Sequence, residues 1–165
     1  MAKTIWGEIA PFFARGEFRY PDRMDEDFLR WLHRLRTRAG VPFRITSDHR
    51  PSSHNAAVGG VTNSAHTEDP CSAVDLEVRS SRERFLVLRE AFAGDCPDTL
   101  REILARVTLP EDLRTRAERA LGDLVRRVGI YPPTASQRAR YGVNAGTIHL
   151  DRSTRLPQDV AWVSV

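Results

Sequence analysis

Three residues of this chain have the types that could hold a metal, and their spacing allows them to meet: His66, Asp75 and His149. Side chains of a strand alternate between its two faces. In the run AVDLEV, Val74, Leu76 and Val78 take one face, and Ala73, Asp75 and Glu77 take the other. In TIHLD, Ile148 and Leu150 take the core side while Thr147, His149 and Asp151 share the opposite face. If the two strands are neighbours, Asp75 and His149 meet across the sheet, and His66 arrives from the polar, turn-rich loop VTNSAHTEDPCS. Two imidazoles and one carboxylate leave a fourth position for water, the ligand pattern of a catalytic zinc site. The same residues also suit structural roles, a hydrogen-bonded strand histidine and a loop-capping aspartate, so by themselves they leave both readings open.

The elements that must position these residues can be read along the chain. Residues 23–38 carry Phe28, Leu32 and Leu35 at helical spacing, with Gly40 and Pro42 as the stop. PFRITSDHR alternates Phe43 and Ile45 against Arg44 and Thr46, a strand running into a polar turn. PSSHNAAVGG reads as a serine cap, a short helical piece and a double-glycine stop. A helix is expected over 81–93 with Phe85, Leu88 and Phe92 on one face, and another from about 111 to 128 with Leu113, Ala117, Leu121, Leu124 and Val128 in register. The stretch from Gly129 to Gly146 is rich in proline and glycine, and TIHLD and VAWVSV follow as two short strands. No internal repeat interrupts this order, and the expectation is one domain over residues 1–165. Its class is α+β, a small antiparallel sheet with helices packed on it.

Composition narrows the function classes. The 165 residues are 41% hydrophobic and 28% charged, enough for a real core. No apolar run approaches the ~20 residues of a membrane span, and the first residues lack the pattern of a signal peptide. The expectation is therefore cytoplasmic synthesis without a signal peptide, with possible later release to a cell wall or carriage in a virion. The formal charge is +3, and 24 of the 25 cationic residues are arginine. Those arginines alternate with carboxylates along helices, as in RERFLVLRE, where they serve solvated faces. A nucleic-acid module would instead cluster them with interleaved aromatics, so no nucleic-acid partner is expected. Two cysteines, Cys71 and Cys96, are too few for a disulfide framework and match no zinc knuckle.

The run FRITSDHRPSSHNAAVGGVTNSAHTEDPCSAVDLEV resembles the core of the zinc D-alanyl-D-alanine carboxypeptidase family, which shares its fold with hedgehog signalling domains and includes phage endolysins that cut peptidoglycan cross-links. The residues that carry the likeness are Ser47, Arg50, His54, Asn55, Gly59, Gly60, Ser64, His66 and Asp75, joined near the C-terminus by His149, Leu150 and Asp151. Upstream, FFARGEF and the approach RAGVPFRITS also fit, so the likeness spans roughly residues 10–152. It implies a hedgehog/DD-peptidase-like fold, zinc as cofactor, His66, Asp75 and His149 as its ligands, and a peptidoglycan peptide as substrate.

This sequence departs from the family pattern at two places. Eight residues lie between His66 and Asp75, more than is usual, so the loop TEDPCSAV is enlarged. Many members carry an acidic general base three positions before the final histidine, and here that position is Gly146. Arg50 suits an oxyanion, since a guanidinium is always charged and offers paired donors. Its alternative is an ordinary surface salt bridge. Candidates for the base are Glu68 and Asp69 in the enlarged loop, Glu77 on the polar face of its strand, and Asp151, which also suits orienting a ligand. His49 stands where an aromatic is usual and could line a cleft. His54 and Asn55 suit loop hydrogen bonds, Gly59 and Gly60 suit positive torsions, and His33 suits an exposed helix face. Cys71 is close enough to His66 in sequence to compete for a metal. Two functions follow: a zinc peptidase of peptidoglycan, of carboxypeptidase or endolysin type, or a member that has lost its base and serves as a wall-binding or virion structural module.

Overall fold

A computed structural model describes residues 4–93, 127–156 and 160–163. Within them a short helix α1 (Ile5–Glu8) precedes α2 (Glu26–Ala39), β1 (Arg44–Ser47), α3 (Ser52–Ala57), β2 (Ala73–Val78) and α4 (Ser81–Ala93). After the undescribed stretch come β3 (Arg127–Tyr131), α5 (Ala135–Tyr141), β4 (Gly146–Asp151) and β5 (Val160–Val163). The five strands form one sheet in the order β1-β2-β4-β3-β5.

Helix α2 forms where the periodicity places it. Asp25 caps its start by accepting from the Phe28 amide, Glu26 and Asp27 fill the positive first turn, and Gly40 ends it in the left-handed region. Phe28, Trp31, Leu32 and Leu35 are buried on its inner stripe, in one core with Val74, Leu76, Val78, Ile148 and Leu150 from the sheet. The alternation of β2 and β4 therefore resolves as read: their apolar positions join the core with α2 and α4, and their polar positions take the other face, where Gln137 of α5 meets Glu77 and Thr147. Burying each such large aliphatic side chain contributes roughly 1.5–3 kcal/mol.

Four expectations need correction. The sheet is mixed, because β5 runs parallel to β3 while the β1-β2, β2-β4 and β3-β4 pairs are antiparallel. A strand's own pattern has period two whichever way its neighbour runs, so direction was not legible. In α4, Val87 and Ala91 are fully buried and Leu88 packs partly against the core, whereas Phe85 and Phe92 are exposed. The helix turns its smaller residues inward against α2. Helix α3 begins after Pro51, with no side-chain cap from serine. Val128, expected to end a helix, lies buried in β3, and the stretch after Gly129 contains the rest of that strand and α5. The remainder of the expected 111–128 helix lies outside the described residues.

Candidate metal centre

The sheet register joins the first two candidates. Asp75 of β2 and His149 of β4 are directly paired, on the face turned from α2 and α4. His66 sits in a turn of 3-10 helix (Ala65–Thr67) whose start is capped by Ser64 Oγ, which accepts from the His66 amide. This turn is sewn to the loop after β1: the Arg50 amide donates to the His66 carbonyl at 2.7 Å. The enlarged loop is held from behind. The Cys71 amide donates to Arg23, the Cys71 carbonyl accepts from Asp25, and the Cys71 thiol points to the carbonyls of Ala65 and Ala73.

The three side chains converge on one point. His66 Nε2 lies 3.2 Å from His149 Nδ1 and 3.3 Å from Asp75 Oδ1, and Asp75 Oδ1 lies 2.8 Å from His149 Nδ1. Tetrahedral bonds of about 2.0–2.1 Å set ligand atoms roughly 3.3 Å apart, so two of the three separations match a zinc tetrahedron and the third needs a small widening. The outer nitrogens decide the tautomers. His66 Nδ1 donates to the Asp48 carbonyl at 2.7 Å, and His149 Nε2 donates to Asp151 Oδ2 at 2.7 Å. Each inner nitrogen then presents a lone pair towards a carboxylate oxygen. Three acceptors facing each other require a positive charge between them, and a divalent cation suits a set of two imidazoles and a carboxylate.

Without a cation, a proton shared with Asp75 takes that place. Burial by itself would raise the Asp75 carboxyl, but hydrogen bonds with His149 and His66 outweigh it and hold Asp75 well below the usual carboxylate range. Burial opposes a charge on His149, yet hydrogen bonds with Asp151 and Asp75 prevail and raise its pKa. A proton and a cation compete for the same lone pairs, so metal affinity falls on acidification.

The other sequence candidates take different places. Asp151 is fully buried, holds His149 and accepts from the Ser153 amide. Arg50 reaches Asp75 Oδ2 at 3.4 Å, and its buried Nε has no acceptor among the described residues. Glu68 is turned to Ser153 and Arg155, and Asp69 to Arg23, so neither belongs to the cluster. Glu77 shares the cluster's face one strand row away, beside Thr147, and pairs with Arg44 at 3.6 Å. His49 is buried, donates to the Glu68 carbonyl and stands edge-on to Tyr20. His54 lies against Arg19 and does not bind the loop, whereas Asn55 Nδ2 does, donating to the Val61 carbonyl. Gly59 has the positive torsion expected of it, while Gly60 leaves room for Asn55, whose Oδ1 lies 2.1 Å from where a Cβ would stand. His33 is half-buried against Phe12.

At Gly146 a Cβ would stand 2.5 Å from the Tyr131 carbonyl and 2.6 Å from the Arg84 guanidinium, so no acidic side chain fits there without backbone movement. Cys71 is outside the metal cluster. Burial pushes its thiol up to about 12, leaving roughly 10³-fold less of the reactive thiolate than an ordinary cysteine has. Native protein treated with iodoacetamide at pH 8 is expected to keep Cys71 unmodified while denatured protein loses it within minutes; peptide mass mapping checks this, and equal labelling would refute the burial.

Sequence reasoning passed over several residues of the site. Asp48 supplies the carbonyl that orients His66 and uses its carboxylate to fix the amides of Arg19 and Tyr20. Tyr131, Pro132, Thr134 and Thr147 line the cleft of about 490 Å³ that holds His66, Asp75, His149 and Arg50. The run IYPPT, flanked by apolar residues, was the one available signal for the first three.

No curated protein and no solved structure matches the chain. The family model described as Peptidase M15 matches residues 15–98, which span Arg50, His66 and Asp75 and run from the loop before α2 to just past α4. With half of its length under that model, the chain belongs to the peptidase M15 family, that of the zinc D-Ala-D-Ala carboxypeptidases.

Proposed function

We propose that this protein is a zinc peptidase that hydrolyses an amide bond in the peptides of bacterial peptidoglycan, with His66, Asp75 and His149 as the metal ligands. The observation that carries this reading is the meeting of three lone-pair atoms whose outer partners, the Asp48 carbonyl and Asp151, fix both histidine tautomers. A zinc ion held there would polarise a carbonyl oxygen and bring the pKa of a water towards ~7.

The chain's own residues supply the rest. Arg50 has a buried Nε–H without an acceptor among the described residues and opens into the cleft, so it donates to the developing oxyanion or to a substrate carboxylate. Asp151 keeps the proton on His149 Nε2 and so the lone pair on Nδ1. Glu77 is the general base: it follows Asp75 on the same face of β2, and its pair Thr147 lines the cleft. Its carboxylate is buried between Arg44 and the Gln137 amide, which donates to it at 3.5 Å, and it takes the proton of the attacking water by turning from both.

The closed space at Gly146 favours a second reading, a member without hydrolytic activity that binds the wall or serves in a virion. Turbidity of purified peptidoglycan separates the two. Zinc-loaded protein is expected to clear the suspension and chelator-treated protein to leave it unchanged. Sedimentation with the wall in the absence of clearing would select the binding module.

A further inference from the structure

We propose that Tyr131 is a further catalytic residue of this cleft, a hydrogen-bond donor to the scissile carbonyl that is aimed by the indole of Trp162. The proposal rests on the peptidase reading. In sheet order Arg50 follows β1 and Tyr131 ends β3, so the two flank the pair formed by Asp75 on β2 and His149 on β4. Both line the same cleft.

The construction around the phenol is specific. Trp162 of β5 pairs with Gly129 of β3, which in turn pairs with His149 of β4. A Cβ at position 129 would stand 2.5 Å from the indole, so only glycine lets Trp162 lie across the strand. The indole reaches the His149 imidazole at 5.5 Å between centroids, and the Arg127 guanidinium lies 5.4 Å over it. Held in this way, Trp162 Nε1 donates to Tyr131 Oη at 3.1 Å, with the two rings edge to face.

An indole N–H can only donate. It takes a lone pair of the phenol oxygen and leaves the hydroxyl hydrogen unspent, and no described residue accepts that hydrogen. A fixed donor in a cleft where amide hydrolysis builds charge on an oxygen stabilises the transition state more than the ground state. Tyr131 keeps its proton throughout; no bond within it breaks.

The test uses zinc-loaded wild type, Tyr131→Phe, Trp162→Phe and the double variant. Each is measured for zinc content, melting temperature, kcat and KM on a soluble wall peptide, and affinity for a phosphinate dipeptide that mimics the tetrahedral oxyanion. Tyr131→Phe is expected to keep zinc and fold, to lose about 10- to 100-fold in kcat and in phosphinate affinity, and to change KM little. Trp162→Phe is expected to lose less, and nothing further in the Tyr131→Phe background, because its effect passes through the hydroxyl. Unchanged phosphinate affinity and kcat in Tyr131→Phe would overturn the proposal and leave the peptidase reading standing. Additive losses in the double variant would overturn the aiming role of Trp162. A wild type that neither binds the phosphinate nor cleaves the peptide would remove the peptidase reading, and the proposal with it.

Discussion

His149→Ala protein is expected to emerge from purification without zinc, where wild type holds about one ion per chain, and to release no peptidoglycan fragments. The reason is the economy of the site. Three protein ligands are usual for a catalytic zinc centre, and the lone pair of His149 is turned inward by the buried carboxylate of Asp151 behind it. Without it, His66 and Asp75 remain as two ligands for a cation that must still lose its water. The ligands also come from a loop and two strands separated by as many as 83 positions, so the folded chain alone presents them together. Metal bound at ~1,000 times its dissociation constant contributes about 4 kcal/mol. Wild type should therefore melt at lower temperature with chelator, and His149→Ala should not respond. Elemental analysis with paired melting curves checks both statements. Equal zinc in the two proteins would refute the ligand assignment.

The second large effect concerns the base. Glu77→Gln is expected to lower turnover by ~10²–10⁴-fold with zinc retained, the range a positioned general base supplies. The comparison needs three companions. Asp151→Asn should lose metal affinity by ~10–100-fold, since its carboxylate orients a ligand. Glu68→Gln and Asp69→Asn should stay near wild type, because those carboxylates face Ser153, Arg155 and Arg23. Hydrolysis and zinc content measured on all four separate the roles. If Glu77→Gln retains full turnover while Glu68→Gln loses it, the enlarged loop carries the base and the assignment to β2 is wrong.

Much of the site was legible in residue order because it is built on strands. Period two alone put Asp75 and His149 on polar faces and Val74, Leu76, Ile148 and Leu150 in the core, and burial enforces that division. Helix α2 was equally plain, since Asp25, the apolar stripe and Gly40 each act through neighbours within a turn or two. His66 was legible only through the motif around it, because a loop has no period to place a side chain.

Other features depend on contacts between distant segments, and tertiary structure alone decided them. Which way β5 runs depends on the neighbour it finds, and that choice brings Trp162 over Gly129 and onto Tyr131. The smaller residues of α4 face inward because α2 lies close against it, a matter of packing that helical spacing does not encode. Glu68 and Asp69 looked like bases for being near a ligand in sequence; Ser153, Arg155 and Arg23, remote in the chain, decide where their charges lie. Sequence by itself determined which atoms could bind a metal and on which face of each strand they stand. The register of β2 against β4, the carbonyl of Asp48 and the carboxylate of Asp151 decided that those atoms meet with their lone pairs inward, because hydrogen-bond geometry exists only between groups the fold has already brought together.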